Sequence, residues 1–201
     1  VRILRARFTG ELGYEIYISP KYALDLWEKI FRYGENLGLI PYGTETMHLL
    51  RAEKGYIVVG QDTDGTVTPI DLNLNWMIGK NKKDFVGKRS LSRSDTSRKN
   101  RKQLIGILPV DRNKEIEEGQ HVVEVKTIPS KVNVPIKYLG HVTSSYHSPT
   151  LNHYIAMGMV EEGNKLIGKK LYVTKNSSSE NIEVEIVKPI FLDPENKRLL
   201  S

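Results

Sequence analysis

The amino-acid sequence predicts an α+β fold in two parts, an α+β domain over residues 1–95 and an all-β barrel or jelly-roll-like domain over residues 96–201. Three observations support this prediction. Two segments with the apolar spacing of helices lie among short strand-like segments before residue 80. Six short strand-like segments follow residue 101, separated by turn-forming residues. A basic stretch lies between the two patterns.

The chain is expected to begin with two strands and a helix. "VRILRARF" at residues 1–8 and the alternating residues 14–18 are typical of strands. Ser19 is expected to cap the following helix, with Pro20 at its first position. The apolar residues of that helix share one face, which we expect to pack on a sheet as core: Ala23, Leu26, Trp27, Ile30 and Phe31.

A second helix is predicted within residues 41–55, with Thr44 as its cap and Gly55 just beyond its end. Residues 56–60, "YIVVG", are predicted to form a short buried strand, followed by a polar loop. Residues 84–93, "DFVGKRSLSR", are typical of a short helix. This part of the chain gives an α+β layer that looks incomplete by itself.

Beyond the basic stretch the pattern is that of β structure. Short spacing and turn residues favour a sandwich or a barrel, and both alternatives stay open. The six predicted strands cover residues 102–110, 120–128, 136–146, 154–160, 169–174 and 182–188.

Composition limits the classes of function. The chain contains no cysteine, which excludes disulfides and thiolate metal sites. It has no apolar run long enough to span a membrane and no basic-then-apolar leader, so the cytoplasm is the expected compartment. Because the sequence enters a strand at Val1, we interpret it as a piece of a longer chain.

The net charge of +6 is concentrated in one segment. Residues 80–102 carry ten Lys or Arg and two Asp, a surplus of +8, so the remainder sums to −2. This segment is interpreted as a solvated face or as an anion-attracting rim for a polycarboxylate ligand. Nucleic acid is not an expected partner, because Phe85 is the only aromatic residue there and no stacking platform exists.

Local motifs for common chemistries are lacking. Glu45 and His48 have the i, i+3 spacing of carboxylate-bridged metal bundles, but such sites need a second copy, so no metal is expected. The sequence contains no P-loop, no G-x-G-x-x-G and no G-x-S-x-G. Phosphate transfer, dinucleotide binding and serine hydrolysis therefore have no local support.

One carboxylate stands out within "TGELGYEIYI", residues 9–18. Glu15 lies between aromatic neighbours on a predicted strand. It either faces water or projects into a pocket, where it would accept hydrogen bonds.

Four segments, in order, resemble the folate-binding aminomethyltransferase family, also called glycine-cleavage T-proteins. They are "TGELGYEI", "LRAEKG", "VGQDTDGTVTPIDLNLNW" and "LGHVTSSYHSPTLNHYIAMGMV". The resemblance implies the C-terminal half of the family's folate-binding α+β domain in residues 1–95 and the family's C-terminal barrel in residues 96–201. "YGTETMHLLRAEKG", "VGQDTDGTVTP", "DFVGKRS" and "GHVTSSY" further resemble the α subunits of heterotetrameric sarcosine oxidases.

The resemblance implies a set of folate-binding residues. Glu15 matches the Glu that holds the pterin, whose ring N–H and amino group suit a bidentate pair with a carboxylate. Trp76 matches a Trp that lines the pocket, Tyr14 lies beside Glu15, and Phe8 stands where the family often has Tyr. Arg51 is either a ligand contact or a structural residue that pairs with Glu53 or caps carbonyls.

Met47 departs from the glycine-cleavage pattern, which has an Arg at this position to anchor the ligand. The departure argues against a function in glycine cleavage and agrees with the segments that resemble sarcosine oxidase α subunits. A dimethylglycine-dehydrogenase-type folate domain and a non-catalytic module for docking subunits remain alternatives.

The implied activity is the capture, as 5,10-methylenetetrahydrofolate, of the one-carbon unit released by oxidative demethylation of sarcosine. Tetrahydrofolate is the implied cofactor, and other sarcosine oxidase subunits are the implied partners. Flavin and NAD are expected elsewhere in the enzyme. The family's catalytic Asp belongs to the upstream half of the fold, so no catalytic residue is assigned here and the isolated chain is expected to be inactive.

Overall fold

The computed structural model describes residues 1–128, 135–176 and 178–200. In these residues a small N-terminal part with two short strands and two helices precedes a closed β-barrel. This architecture confirms the predicted α+β class with an all-β barrel in the C-terminal part.

The N-terminal part starts with a two-stranded antiparallel sheet. Strand β1 covers Arg2–Leu4 and strand β2 covers Glu15–Tyr17, with Ile3 opposite Ile16. Both strands lie where the sequence predicted them but are shorter, and all their residues are exposed. The backbone between them turns through a loop in which Gly10 has a positive φ of 83°.

Helix α1 covers Ala23–Gly34 and follows a 3-10 turn at Pro20–Tyr22. The predicted cap was wrong, because the Ser19 side chain makes no capping hydrogen bond. The Ser19 backbone carbonyl instead accepts a hydrogen bond from the Tyr22 amide at 2.9 Å, which closes the 3-10 turn.

The apolar face of α1 is exposed, and the prediction that it forms core was wrong. No residue of α1 is buried, and Trp27 is 59% exposed. Within the described residues the helix packs mainly on the short turns at its own two ends, and on its apolar face only Leu26 and Phe31 are half-buried.

Helix α2 covers Thr44–Glu53. Gly43 occupies the N-cap position, so Thr44 is the first helical residue rather than the cap. Gly55 follows the helix end with a positive φ of 72°, which agrees with its predicted place.

Residues 56–60 form no strand, so the predicted buried strand was wrong. Val59 makes only an isolated bridge to Thr63 and is 82% exposed. The chain reverses at Gly60, where φ is 94°, before a strand can pair. Two further 3-10 turns follow at Asn75–Met77 and Lys88–Ser92, the second inside the segment predicted to be a short helix.

The six predicted barrel strands are confirmed and close into an antiparallel barrel with the order β3-β6-β5-β4-β7-β8, in which β8 pairs with β3. The alternative of a sandwich is thereby excluded. The strands are β3 (Lys102–Pro109), β4 (His121–Val123), β5 (Tyr138–Ser148), β6 (His153–Glu161), β7 (Lys170–Lys175) and β8 (Ser178–Val187).

Two short helices complete the described chain. Helix α3 covers Gly163–Leu166 and helix α4 covers Lys197–Leu200. Across the described ranges, no helix is long and apolar enough to cross a membrane.

The barrel strands β3 and β6 are buried on both faces. Ile105 and Ile107 point into the barrel, where they join one apolar cluster. Leu104 and Met157 point outward and join a second cluster with Ala52 of α2. Burial on both sides explains why these strands have nearly continuous apolar sequences. Each large side chain buried here contributes about 1.5–3 kcal/mol.

Gly55 sits where α2 meets the C-terminal segment. A Cβ atom at this position would lie 1.8 Å from the Pro189 carbonyl oxygen, and the φ angle is positive. We expect Gly55→Ala to lower the free energy of unfolding by about 1–3 kcal/mol, measured by urea denaturation. Gly65→Ala is the control, because open space surrounds that position. Equal stability of the two variants would contradict the expectation.

Candidate functional site

The last turn of α2 inserts against the outer surface of the barrel through Arg51, which is 0% exposed. Its Nη1 donates hydrogen bonds to Asp62 Oδ2 at 2.5 Å and to the Tyr56 carbonyl at 3.1 Å. Its Nη2 donates to Ser144 Oγ at 2.8 Å and to the Tyr146 hydroxyl at 3.3 Å. One guanidinium thus joins the helix, the loop that follows it and strand β5.

Asp62 completes this charge pair from the loop side, and it is also buried. Its Oδ1 accepts hydrogen bonds from Thr143 Oγ1 at 2.5 Å and from Ser144 Oγ at 2.7 Å. Its Oδ2 accepts a third from the Val58 amide at 2.9 Å, besides the one from Arg51. Such a set of partners offsets the cost of removing two charges from water.

The predicted roles of Arg51 can now be compared with its surroundings. Its ion-pair partner is Asp62 and not Glu53, so the suggested pairing within the helix was wrong. The suggested capping of a carbonyl is seen at Tyr56. Both Nη atoms bond within the chain and the side chain is buried, while its role as a ligand contact stays a prediction.

The two charged residues after Arg51 are also buried against the C-terminal part. Glu53 Oε1 accepts a hydrogen bond from Ser148 Oγ at 2.5 Å, and Lys54 forms an ion pair with Asp193 at 3.1 Å. Burial opposes ionisation of Asp193, but hydrogen bonds from Lys54 and from backbone amides lower the pKa of its carboxyl. The "RAEK" segment therefore attaches the helix at three points.

A second buried ion pair joins the loop after α2 to the start of the barrel. Arg101 donates from Nε to Asp71 Oδ1 at 2.9 Å and from Nη2 to Asp71 Oδ2 at 2.7 Å. Burial raises the pKa of the Asp71 carboxyl, but the bonds from Arg101 and Thr68 outweigh it and the pKa is lowered. The same bonds raise the pKa of the Arg101 guanidinium.

Glu15 is exposed on β2, where a ligand can reach it. Its Oε2 accepts a short hydrogen bond from the Tyr17 hydroxyl, and this bond raises the pKa of Tyr17. A carboxylate offers about four acceptor positions, so the bond to Tyr17 orients the group and leaves capacity for a further donor pair.

The remaining predicted folate residues lie in the same N-terminal part. Tyr14 is exposed, Trp76 is 72% exposed on a 3-10 turn, and Phe8 and Met47 are half-buried. In the described residues no ring contact joins the three aromatic side chains. Their roles as ligand contacts stay predictions.

An apolar groove of about 690 Å³ lies next to Trp76 in the chain. Its walls come from the loop after α2 and from the turns around residues 74–91, including Ile57, Leu72, Met77 and Phe85. The groove is of the size that organic ligands occupy in proteins.

Sequence reasoning missed Thr143 and Ser144 as partners of the buried Arg51–Asp62 pair. The available signal was a run of three hydroxyl residues, 143–145, within a predicted strand, since buried hydroxyl groups require partners. As for metals, no cluster of three or more His, Asp or Glu side chains that could hold an ion occurs in the ranges described.

Two family models match the chain. The "GCVT N-terminal domain" matches residues 1–82, and the "Glycine cleavage T-protein C-terminal barrel domain" matches residues 102–193. Together they account for most of the chain, which belongs to the family defined by these domains. The predicted resemblance to the folate-binding aminomethyltransferase family is confirmed.

Among similar proteins, a sarcosine oxidase subunit alpha from Corynebacterium sp. (strain P-1) is 44% identical over 197 residues, which is 98% of this chain and 20% of that protein. An aminomethyltransferase from Halothermothrix orenii is 34% identical over 196 residues, 96% of this chain and 50% of that protein. In a solved structure, the glycine cleavage system aminomethyltransferase T from Bartonella henselae matches with a TM-score of 0.80 and 26% identity, over 96% of this chain and 50% of its own. The chain thus spans a fifth to a half of these relatives.

The buried pair at Arg51 and Asp62 generates a stability prediction. Asp62→Asn preserves the shape of the side chain but leaves the guanidinium buried without its counter-charge. We expect the free energy of unfolding to fall by about 3–5 kcal/mol, measured by urea denaturation followed by circular dichroism.

The control for this prediction is the exposed pair of Asp25 and Lys29, which are 2.8 Å apart on α1. Asp25→Asn is expected to change stability by less than about 1 kcal/mol. A loss for Asp62→Asn no larger than that of the control would show that the network contributes little.

The Asp71–Arg101 pair predicts a pH dependence. The folded-state pKa of Asp71 lies below its ordinary value of 3.8, so the pair stabilises the fold above that pH and the contribution is lost as pH falls through the lowered pKa. Asp71→Asn should cost about 3 kcal/mol at pH 7, and the difference from wild type should shrink below about pH 4. A difference that stays constant from pH 7 to pH 3 would contradict this assignment.

Proposed function

We propose that this chain is the folate-binding part of a sarcosine-oxidase-type enzyme, which captures the one-carbon unit from sarcosine as 5,10-methylenetetrahydrofolate. The observation that carries the proposal is the combination of family membership with the identity to the sarcosine oxidase α subunits of two Corynebacterium strains. These are 42% and 44% identical, against 34% for the aminomethyltransferase from Halothermothrix orenii, while the α subunit from Rhizobium meliloti is 33% identical.

Met47 supports the same choice. The resemblance to glycine-cleavage proteins would require an anchoring Arg at this position, whereas the half-buried Met47 cannot pair with an anion. The Arg of this helix, Arg51, is buried and uses both of its Nη atoms in hydrogen bonds within the chain, to Asp62 and Ser144 among others. The α2 helix therefore offers no free guanidinium to a ligand carboxylate, and anchoring of the ligand falls to other residues.

Glu15 is the group we propose to hold the pterin. Its carboxylate is exposed, and the hydrogen bond from Tyr17 fixes one oxygen while lone pairs remain for two adjacent N–H donors. A bidentate bond of this kind fixes orientation as well as affinity. Tyr14, Phe8 and Trp76 would supply flat apolar surface for the ring system.

Bound tetrahydrofolate would supply the nitrogens that take up the one-carbon unit. The part of this chain is to bind and orient the folate and to keep bulk water away, and proximity is its main contribution. The oxidation itself requires a flavin, which we place on another part of the enzyme, with NAD also elsewhere. Other subunits are proposed partners, since the similar proteins are named as α subunits.

A role in docking subunits is the second candidate. The exposed apolar face of α1, with Trp27 at 59% exposure, favours it, because large exposed apolar patches mark interaction sites. The two roles are compatible with each other. A measurement of folate binding shows whether the chain has the first role or only the second.

Calorimetric titration of tetrahydrofolate into this chain and into its Glu15→Gln variant tests the proposed function. We expect saturable binding to the wild type and affinity weakened at least about tenfold in the variant, because Gln places N–H donors against the N–H donors of the pterin. Glu28→Gln on α1 is the matched control and should bind as the wild type does.

Each other outcome has a definite meaning. Equal binding by the wild type and Glu15→Gln would remove Glu15 from the site but keep the folate assignment. No binding by the wild type would overturn folate binding by this chain and leave the docking role.

A further inference from the structure

A polar cavity of about 460 Å³ lies between the loop at residues 60–66 and the barrel. Its lining includes Asp64 from the loop, Asn100 and Lys102 at the start of β3, and His141 on β5. The cavity borders the two buried ion pairs described above, since Asp62, Asp71 and Arg101 line it, but neither Glu15 nor Trp76 does.

Most charged groups around this cavity are already paired with one another. Their pairs are Asp71 with Arg101, Asp95 with Arg98 and Arg101, and Glu161 with Lys137. These pairs set the shape of the walls and add little net charge.

Four side chains are left for a ligand. Lys102 forms no ion pair with any described residue, and the Asn100 amide and the His141 ring make no hydrogen bond there. Asp64 uses Oδ1 to accept hydrogen bonds from the Thr66 amide at 2.7 Å and from the Thr66 hydroxyl at 2.6 Å, which leaves Oδ2 without a hydrogen-bond partner among the described residues. The cavity thus presents a free ammonium and a free carboxylate oxygen.

These groups are close enough to influence one another. Burial lowers the pKa of the His141 imidazole, and the charge of Lys102 lowers it further. Hydrogen bonds from Thr66 lower the pKa of Asp64, and Lys102 adds to that effect. At neutral pH the cavity therefore combines a cation, an anion and a neutral imidazole that can donate or accept.

We propose that this cavity binds a free α-amino acid in its zwitterionic form. The ligand's carboxylate pairs with the Lys102 ammonium and accepts from the Asn100 amide. Its ammonium group donates to Asp64 Oδ2. His141 hydrogen-bonds to whichever polar group the ligand's side chain carries.

The charge balance favours a zwitterion over a simple anion or cation. A lone anion would leave the Asp64 carboxylate facing it, and a lone cation would face Lys102, so each would meet one repulsive group. The volume is within the range of small-molecule sites and admits an amino acid with a polar side chain. The proposal does not depend on folate binding.

The experiment is calorimetric titration of the 201-residue chain with glycine and with L-glutamine at low ionic strength. We expect saturable binding of at least one of them. Lys102→Gln and Asp64→Asn should each weaken binding at least about tenfold, because each removes one charge-assisted contact. Lys99→Gln and Asp84→Asn remove the same charges outside the cavity and should bind as the wild type does.

Acetate carries only the carboxylate of an amino acid, and methylammonium carries only the ammonium group. Each should bind far more weakly than the amino acid, which carries both charges. Absence of saturable binding of both amino acids would overturn the proposal. So would binding that both cavity variants retain, or acetate binding as tight as that of glycine. Both altered residues are exposed, so folding should persist, and circular dichroism of each variant verifies it.

Discussion

The buried pair of Arg51 and Asp62 is the interaction on which the arrangement of the molecule depends. An unpaired charge in this position would cost several kcal/mol, so the helix, the loop and strand β5 come together where the two charges meet. Ser144 is central to this, because its hydroxyl accepts from the guanidinium and donates to the carboxylate. The requirement to pair these buried charges fixes the position of α2 on the barrel.

This attachment gives the "LRAEKG" segment of the chain a structural role. Arg51, Glu53 and Lys54 each bond to a residue of the C-terminal part, and Gly55 lets the chain turn where the Pro189 carbonyl leaves no room for a side chain. The motif therefore describes a joint between two domains. Ligand contacts are then expected from residues outside this joint, with Glu15 as the accessible carboxylate.

Local patterns predicted the parts of the fold that local chemistry determines. The six barrel strands were found because apolar residues and turn residues alternate over short distances, and α2 was found with the glycine beyond its end. The partners of Arg51 were not predictable in this way, since Ser144 is 93 residues further along the chain. Helical spacing showed that α1 has an apolar face, but spacing does not show what covers a face. For residues 56–60, an apolar composition predicted a strand although no neighbouring strand was in reach to pair with it.

The placement of the tryptophans has an optical consequence. The chain contains two, Trp27 on α1 and Trp76 on the 3-10 turn, and both lie in the domain that matches residues 1–82. The barrel contains none, so intrinsic tryptophan fluorescence reports on the N-terminal domain alone. Because both indoles are exposed to solvent, their emission is sensitive to whatever comes to cover that domain, while the barrel contributes no tryptophan emission.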